Sequence, residues 1–502
     1  LDKVRSAIRE TELQGRRWRV LSLTSIGIFM APLDSTIVAV ALPALGPSLR
    51  LSYSEALWVQ AGYLLMLSVF LIPIGRLADA HGLMRFYLAG TALFGLFSIA
   101  CALSFNGAFL IAARCFQGSG AAFMSATSAA LVTTVFPPDE RGRALGLNVM
   151  AGYLGLTAGP PLGGLIVTHF GWRWIFLVNV PIAIATLANG WFLLGAERRD
   201  RAAARERLVR DQPARGERAP RAGGAVDWAG GVLLGLMLIS LLVPLTLVPF
   251  WGWSNPRTIA PLAAFVVLLL AFRFVEDRVQ DPVLDLDMVR KNRVFAAGTF
   301  ATFLNYAAVY GLTIFTAVFL EVVEGYSAQQ AGLILLIQPI FMAVLSPLFG
   351  RLSDRIGSRV LATGGMLVGA VGIAQLGILP ATTHPWRVLL ALGTVGVGMA
   401  VFSSPNISAV MGSVKRSQLS LASGFLGTMR SAGQGISVAL LGAIAASGLG
   451  PTGGRVLFLG EKASQAAASS FSGGYRTAMF VAVGLAVAGA MVSLVHGRPA
   501  EI

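Results

Sequence analysis

Along the chain, apolar stretches of about 20 residues alternate with short connections that hold most of the charge. Fourteen such stretches are legible, near 20–45, 56–75, 86–105, 108–134, 143–167, 173–195, 227–247, 258–275, 294–319, 329–349, 359–379, 387–409, 420–446 and 476–495. A helix rising 1.5 Å per residue needs about 20 residues to cross the hydrocarbon of a bilayer. One apolar stretch fits a buried core helix; a dozen do not. The two-residue alternation of a barrel strand is missing, and an isolated spanning segment must satisfy its own backbone, so the pattern predicts helices. The expected fold class is an all-α polytopic membrane protein with 14 transmembrane helices.

Composition agrees. Of 502 residues, 55% are hydrophobic and only 13% charged, about half the charge of a soluble domain. The 58 glycines suit close approach of membrane helices. The net charge of +15 resides in connections, where it reports topology rather than a nucleic-acid surface. Lys and Arg crowd the N-terminal tail and every second connection, which predicts that both termini are cytoplasmic. The first stretch is too long for a signal-peptide core and reads as a true span. Cys101 and Cys115 both fall in apolar segments and suggest neither a metal site nor a disulfide. The four histidines lie in or near connections without clustering, and no hydrolytic constellation appears. An enzyme is a poor reading, and no cofactor is expected.

The chain repeats itself. Residues 75–82 read G-R-L-A-D-A-H-G and residues 350–357 read G-R-L-S-D-R-I-G, each following an apolar helix. Treating spans 7 and 8 as an insertion makes the two turns equivalent and gives a 6 + 2 + 6 plan. The expected units are an N-terminal six-helix half, 1–195, an Arg-rich linker with two inserted helices, 196–293, and a C-terminal six-helix half, 294–502. Two halves of like orientation around a central cavity are an alternating-access layout.

Within this frame a few polar residues stand out. Asp34 is the lone formal charge between Arg19 and Arg50, near mid-membrane depth, where a lipid-facing carboxylate is expensive. It is expected to face the bundle interior or a cavity. There it serves as a proton-loading group that also attracts cations, or as a structural acid paired with Ser35, Thr36 or a base on another helix. Pro32 and Pro43 are expected to kink or open its helix. Arg114 and Gln117 share a face of span 4; Arg114 either tunes a nearby carboxylate or snorkels outward. Gln60, Asn305, Tyr306, Tyr310, Gln338 and Asn406 are candidates for the cavity wall. Asp79 and Arg85, with Arg141 and Arg143, form a candidate cytoplasmic latch, echoed by Asp354, Arg355 and Arg359. Span 5 carries a seam of Gly152, Gly155, Gly159, Gly163 and Gly164 around Pro160 and Pro161, expected to pack tightly, to bend at the prolines and to seal against the other half, with span 13 as a looser partner.

With these motifs in place the chain resembles the major facilitator superfamily, and within it the fourteen-span drug:proton antiporters, over nearly its whole length. L-D-S-T-I-V-A-V-A-L-P (33–43) resembles that branch's first-helix signature, G-R-L-A-D-A-H-G-L-M-R (75–85) the cytoplasmic loop motif, R-C-F-Q-G-S-G (114–120) the fourth-helix motif and G-Y-L-G-L-T-A-G-P-P-L-G-G (152–164) the antiporter motif. The resemblance implies proton coupling through Asp34 and Arg114, and gating at Asp79 and Arg85. Ala80, Leu83 and Met84 depart from the basic residues common in that loop, which weakens the first latch. The implied fold is the major facilitator fold, in a bacterial cytoplasmic membrane, with the proton as coupling ion.

The expected activity is proton-driven export of lipophilic, often cationic, compounds by a monomer, with membrane lipids as neighbours and no nucleic-acid partner. The alternative within the family is export of a lipid, lysolipid or endogenous metabolite. Peptide uptake lacks its first-helix E-x-x-E-R signature here. A non-transporting scaffold or sensor is the remaining reading.

Overall fold

The computed structural model describes residues 2–137, 140–193, 228–252, 254–276, 278, 286–380, 383–414, 419–447 and 465–494. Fourteen long helices are labelled here: α1 Asp2–Leu49, α2 Tyr53–His81, α3 Leu83–Ala102, α4 Gly107–Val135, α5 Arg141–Phe170, α6 Trp174–Leu193, α7 Trp228–Trp251, α8 Pro256–Glu276, α9 Arg293–Val323, α10 Ala328–Ser353, α11 Ser358–Gly377, α12 Pro385–Gly412, α13 Leu419–Ala446 and α14 Gln465–Ser493. Among the described residues, 11 helices are long and apolar enough to cross a membrane. The remaining three are α4, which carries Arg114, α7, whose apolar portion Gly230–Leu245 is shorter, and α13. The last turn of α9, Phe319–Val323, is a π-turn. The chain is an all-α polytopic membrane protein. Its outward faces remain apolar: Trp191, Phe192, Val267 and Val344 are all exposed, as lipid contact demands.

Helix pairing repeats between the halves. Helix α1 packs on α5, α2 on α4 and α3 on α4; in the same order α9 packs on α13, α10 on α12 and α11 on α12. Across the halves α2 meets α13, and α10 meets α5, so the crossings repeat too. The two G-R-L-x-D turns are equivalent in detail. Gly82 (φ 115°) ends α2, and Gly357 (φ 88°) ends α10, whose helical turns run on to Ile356; both adopt a conformation that strains any residue with a Cβ, and each N–H donates back to the helix, to Ala78 and Ser353.

Two expectations change. Pro32 and Pro43 neither break nor open α1, which runs unbroken from 2 to 49, and Pro160 and Pro161 sit inside a continuous α5. Neighbouring helices hold such segments in shape, as α5 does along α1. The glycine seam also has a different main partner. Its glycines pack on α1, not α13: a Cβ at Gly152 would meet Ile28, at Gly155 Phe29 and Leu33, at Gly159 Thr36, and at Gly163 Ile37. Only Gly164 turns to the other half, against Ala328 and Gln329, while Gly332 of α10 meets Pro160 in return. The seam thus positions the helix that carries Asp34, and its far end closes the halves.

That closure marks one end of the bundle, formed by the connections at 50–52, 103–106, 171–173 and 324–327; we term it distal. The opposite, proximal end carries the Gly82 and Gly357 turns. Distally, Tyr53 also donates to the Gly442 carbonyl at 3.0 Å, tying α2 to α13. Helix α7 covers this second junction. Gly231 and Gly235 rest on Pro73 and Val69 of α2, and Leu242 rests on Gly435 of α13.

Candidate functional site

Close helix approach builds the site. At Gly118 a Cβ would strike the Tyr63 backbone, so α4 lies directly on α2. That brings Arg114 under the Val59 carbonyl, to which Nε donates at 3.1 Å, and over the Tyr63 ring, 4.3 Å from its centroid. From the other side α5 presses α1 inward and presents Asp34. The two meet: Arg114 Nη1 forms a salt bridge with Asp34 Oδ2, both side chains fully buried. Asp34 Oδ1 also accepts from Gln117 Nε2 (3.0 Å) and from Asn179 Nδ2 of α6 (2.8 Å). Gln117 is held in turn by Ser98 (2.8 Å), and its Oε1 accepts from Arg114 Nη1 (2.6 Å) and from the Cys101 thiol (3.6 Å). Arg114 therefore does not snorkel. The carboxylate has three donors, and the cluster is electrically neutral. Arg114 Nη2 and Asn179 Oδ1 are left without partners. The Tyr63 face and Phe176, 5.8 Å away, supply the guanidinium with cation–π attraction.

One residue along α1 the environment changes. Ser35 Oγ hydrogen-bonds the Tyr310 hydroxyl of α9, across the junction between the halves. Gln60 Nε2 reaches the Ser35 carbonyl (3.0 Å), Ser35 Oγ (2.9 Å) and Tyr310 Oη (2.6 Å). Thr36, about 200° round the helix from Asp34, faces a cavity between the halves. Tyr306, Tyr310, Gln338, Met342, Met399 and Pro160 are among its walls, and none of its described lining residues is charged. Its volume is about 60 Å³, near the liquid share of two waters.

The predicted site residues thus fall into groups. Asp34, Arg114 and Gln117 share the buried cluster, and Gln60 joins the Ser35–Tyr310 bridge. Tyr306, Tyr310 and Gln338 line the cavity. Asn406 lies apart, its amide donating to Gly298 (3.0 Å) and Thr302 (2.8 Å) within the C-terminal half; Asn305 is buried on α9, outside the cavity lining. At the proximal face Asp79 lines a pocket of about 420 Å³ with Arg16 and Arg17, while Arg85, Arg355 and Arg359 are exposed. The side chains of Arg141, Arg143 and Asp354 lie outside the described residues, as does the linker 194–227. Asn179 escaped the sequence reading; its one signal is an amide inside the apolar run of α6. Among the described residues, no group of three or more His, Cys, Asp or Glu side chains is placed to hold a metal.

The chain has relatives among known proteins. The Major Facilitator Superfamily model matches residues 24–224, 213–438 and 298–501. The chain belongs to the Major Facilitator Superfamily. It is 36% identical over 440 residues to the multidrug resistance protein Stp of Mycobacterium tuberculosis (strain CDC 1551 / Oshkosh), covering 87% of this chain and 78% of that one. It is 32% identical over 445 residues to the tetracenomycin C resistance and export protein of Streptomyces glaucescens, with the same coverage. The fold is similar to a bacterial homologue of the human lysosomal transporter Spinster, inward-facing and unoccupied. That match has a TM-score of 0.64 at 16% identity and covers 96% of this chain and 97% of the other. The protein is a major facilitator transporter, not an enzyme.

Proposed function

We propose that this transporter exports neutral lipophilic solutes in exchange for protons, with Asp34 as the proton-carrying group. The observation that carries the reading is the buried Asp34–Arg114 pair. Ionised, Asp34 already has its counter-charge and offers none to a cation, and the nearby cavity has an uncharged lining. Of the two substrate classes that the sequence leaves open, this favours a lipid-like molecule or other neutral metabolite over a lipophilic cation. Neutral drugs of similar chemistry fit the same cavity, in line with the resistance functions in the relatives' names.

The proposed cycle uses the distal closure. A proton on Asp34 removes its charge and leaves Arg114 with the Val59 carbonyl, Gln117 and aromatic faces alone. Loss of that proton restores the pair. The N-terminal half thus has two electrostatic states, and a protonation step biases its rocking against the C-terminal half. In this scheme all fourteen helices span, as 6 + 2 + 6, in a bacterial cytoplasmic membrane, with the termini and the proximal end facing the cytoplasm. The test is transport in proteoliposomes under an imposed pH gradient, comparing a neutral dye with tetraphenylphosphonium and wild type with Asp34→Asn. Gradient-driven movement of the neutral dye, lost in the variant, is expected. Transport insensitive to both the gradient and the substitution overturns the reading.

A further inference from the structure

Hydrogen counting around Ser35, Gln60 and Tyr310 leaves one proton over, at the cavity wall. The Ser35 carbonyl can only accept, so the Gln60 atom 3.0 Å from it is the amide nitrogen, and the amide orientation is fixed. That nitrogen has two hydrogens. One goes to the Ser35 carbonyl and the other to the hydroxyl pair, where both oxygens lie within 2.9 Å. The contact between Ser35 and Tyr310 uses one hydroxyl hydrogen. The other is unspent. If Tyr310 donated to Ser35, the spare hydrogen would sit on Ser35, which is only 5% exposed and off the cavity lining. A buried donor without an acceptor costs more than one that faces open space. Ser35 therefore donates to Tyr310, and the unspent hydrogen rests on Tyr310, a residue of the cavity wall.

We infer that Tyr310 is a specificity-determining residue: its hydroxyl donates to a carbonyl-type acceptor oxygen on the transported molecule. The class selected is a flat, neutral, lipophilic compound with an exposed carbonyl, such as a polycyclic ketone, quinone or lactone. Tyr306, one turn earlier on α9, and Met342 and Met399 supply the apolar faces for its rings. At about 60 Å³ the cavity is contracted, so this contact forms as the halves part and the Ser35–Tyr310 bridge yields. Recognition and opening then share one hydroxyl. This inference rests on the proposed export of neutral solutes but concerns binding, which is measured separately from flux.

The test is equilibrium binding to the purified full-length transporter in nanodiscs with two neutral fluorescent probes, Nile red, which carries a conjugated carbonyl, and pyrene, which carries none. In Tyr310→Phe, Nile red affinity is expected to fall by about three- to tenfold, the loss of one hydrogen bond, with pyrene unchanged. Ser35→Ala breaks the same bridge but keeps the phenol. It is expected to keep the Nile red preference, whereas a merely structural role for the bridge would make the two variants alike. An equal loss of both probes in Tyr310→Phe, no loss of either, or loss of the preference in Ser35→Ala overturns the assignment, as does a wild type that binds neither probe. If Tyr310→Phe does not fold, Ser35→Ala still decides. Selective binding without gradient-driven flux would refute proton-coupled export and leave the recognition role standing.

Discussion

The buried pair makes an asymmetric prediction about its two single substitutions. In Asp34→Asn, Arg114 keeps its charge in a fully buried site, because a guanidinium holds its proton far above neutral pH and shedding it at pH 7 would cost about 7 kcal/mol. The charge stays, Nη2 is already without a partner, and removing one member of a buried ion pair costs about 3–5 kcal/mol. In Arg114→Met, Asp34 has an exit: it can bind a proton and keep its contacts with Gln117 and Asn179. From an ordinary carboxyl value near 3.9, that exit caps the penalty at about 4 kcal/mol at pH 7 and about 1.5 kcal/mol at pH 5. The sign follows from the unfolded chain, whose carboxyl protonates more readily as pH falls, so neutralising Asp34 becomes cheaper by about 1.4 kcal/mol per unit. No such relief reaches Asp34→Asn.

The assay is thermal unfolding of purified protein in detergent at pH 7 and pH 5, each variant referred to wild type at the same pH. A unit of about 200 residues loses about 2–4 °C per kcal/mol. Asp34→Asn is therefore expected to lose roughly 6–20 °C at both values, and Arg114→Met no more than about 3–6 °C at pH 5. The double variant is expected to recover much of the loss, because no buried charge remains. An Arg114→Met deficit that fails to shrink on acidification, or that exceeds the Asp34→Asn deficit at pH 5, refutes the reasoning.

Asn179→Leu removes one of three donors to Asp34 and is expected to destabilise by about 1.5–3 kcal/mol, read in the same melts; no change would mean that the 2.8 Å contact contributes nothing. Gly155→Ala forces a methyl against the Phe29 backbone and is expected to cost about 1–3 kcal/mol, whereas Gly146→Ala, at a position with open space on the same helix, is expected to be neutral or slightly stabilising. Gly332→Leu wedges the distal closure at Pro160 and is expected to lengthen the distance between spin labels at 105 and 326; an unchanged distance distribution would show that α5 and α10 do not set that end.

Much of this was legible because periodicity and exclusion from lipid act on every residue of a span. The helix bounds and the paired glycine turns follow from such rules, as does an inward-facing Asp34; which group Asp34 meets does not. What escaped depends on partners far away in sequence. Asn179 is one amide in an apolar run, and nothing local says that a carboxylate 145 positions earlier accepts from it. The Ser35–Tyr310 bridge spans 275 positions, and its meaning comes from hydrogen counting that needs three dimensions. The prolines do not interrupt α1 or α5, because neighbouring helices pack against the chain, as α5 does against α1. The glycine seam was correctly read as close packing, but sequence spacing does not choose between α1 and α13 as its partner.

Helix α7 constrains how the helix groups on either side of it can move. Helix α7 touches both α2 and α13, so it straddles the line along which the halves meet on that side. On the other side α5 and α10 meet at Thr157 and Pro339, at Pro160 and Gly332, and at Gly164 and Ala328, all in the distal half of α5. A rocking motion that separated α2 from α13 would strip α7 from one of them and expose the apolar cluster of Leu234, Leu238, Leu242, Phe272 and Phe425. Separating α5 from α10 exposes no such cover. The side away from α7 is therefore the easier one to open laterally. The cavity between the halves has Pro160 of α5 and Gln338 and Met342 of α10 in its wall, together with Tyr310 of α9.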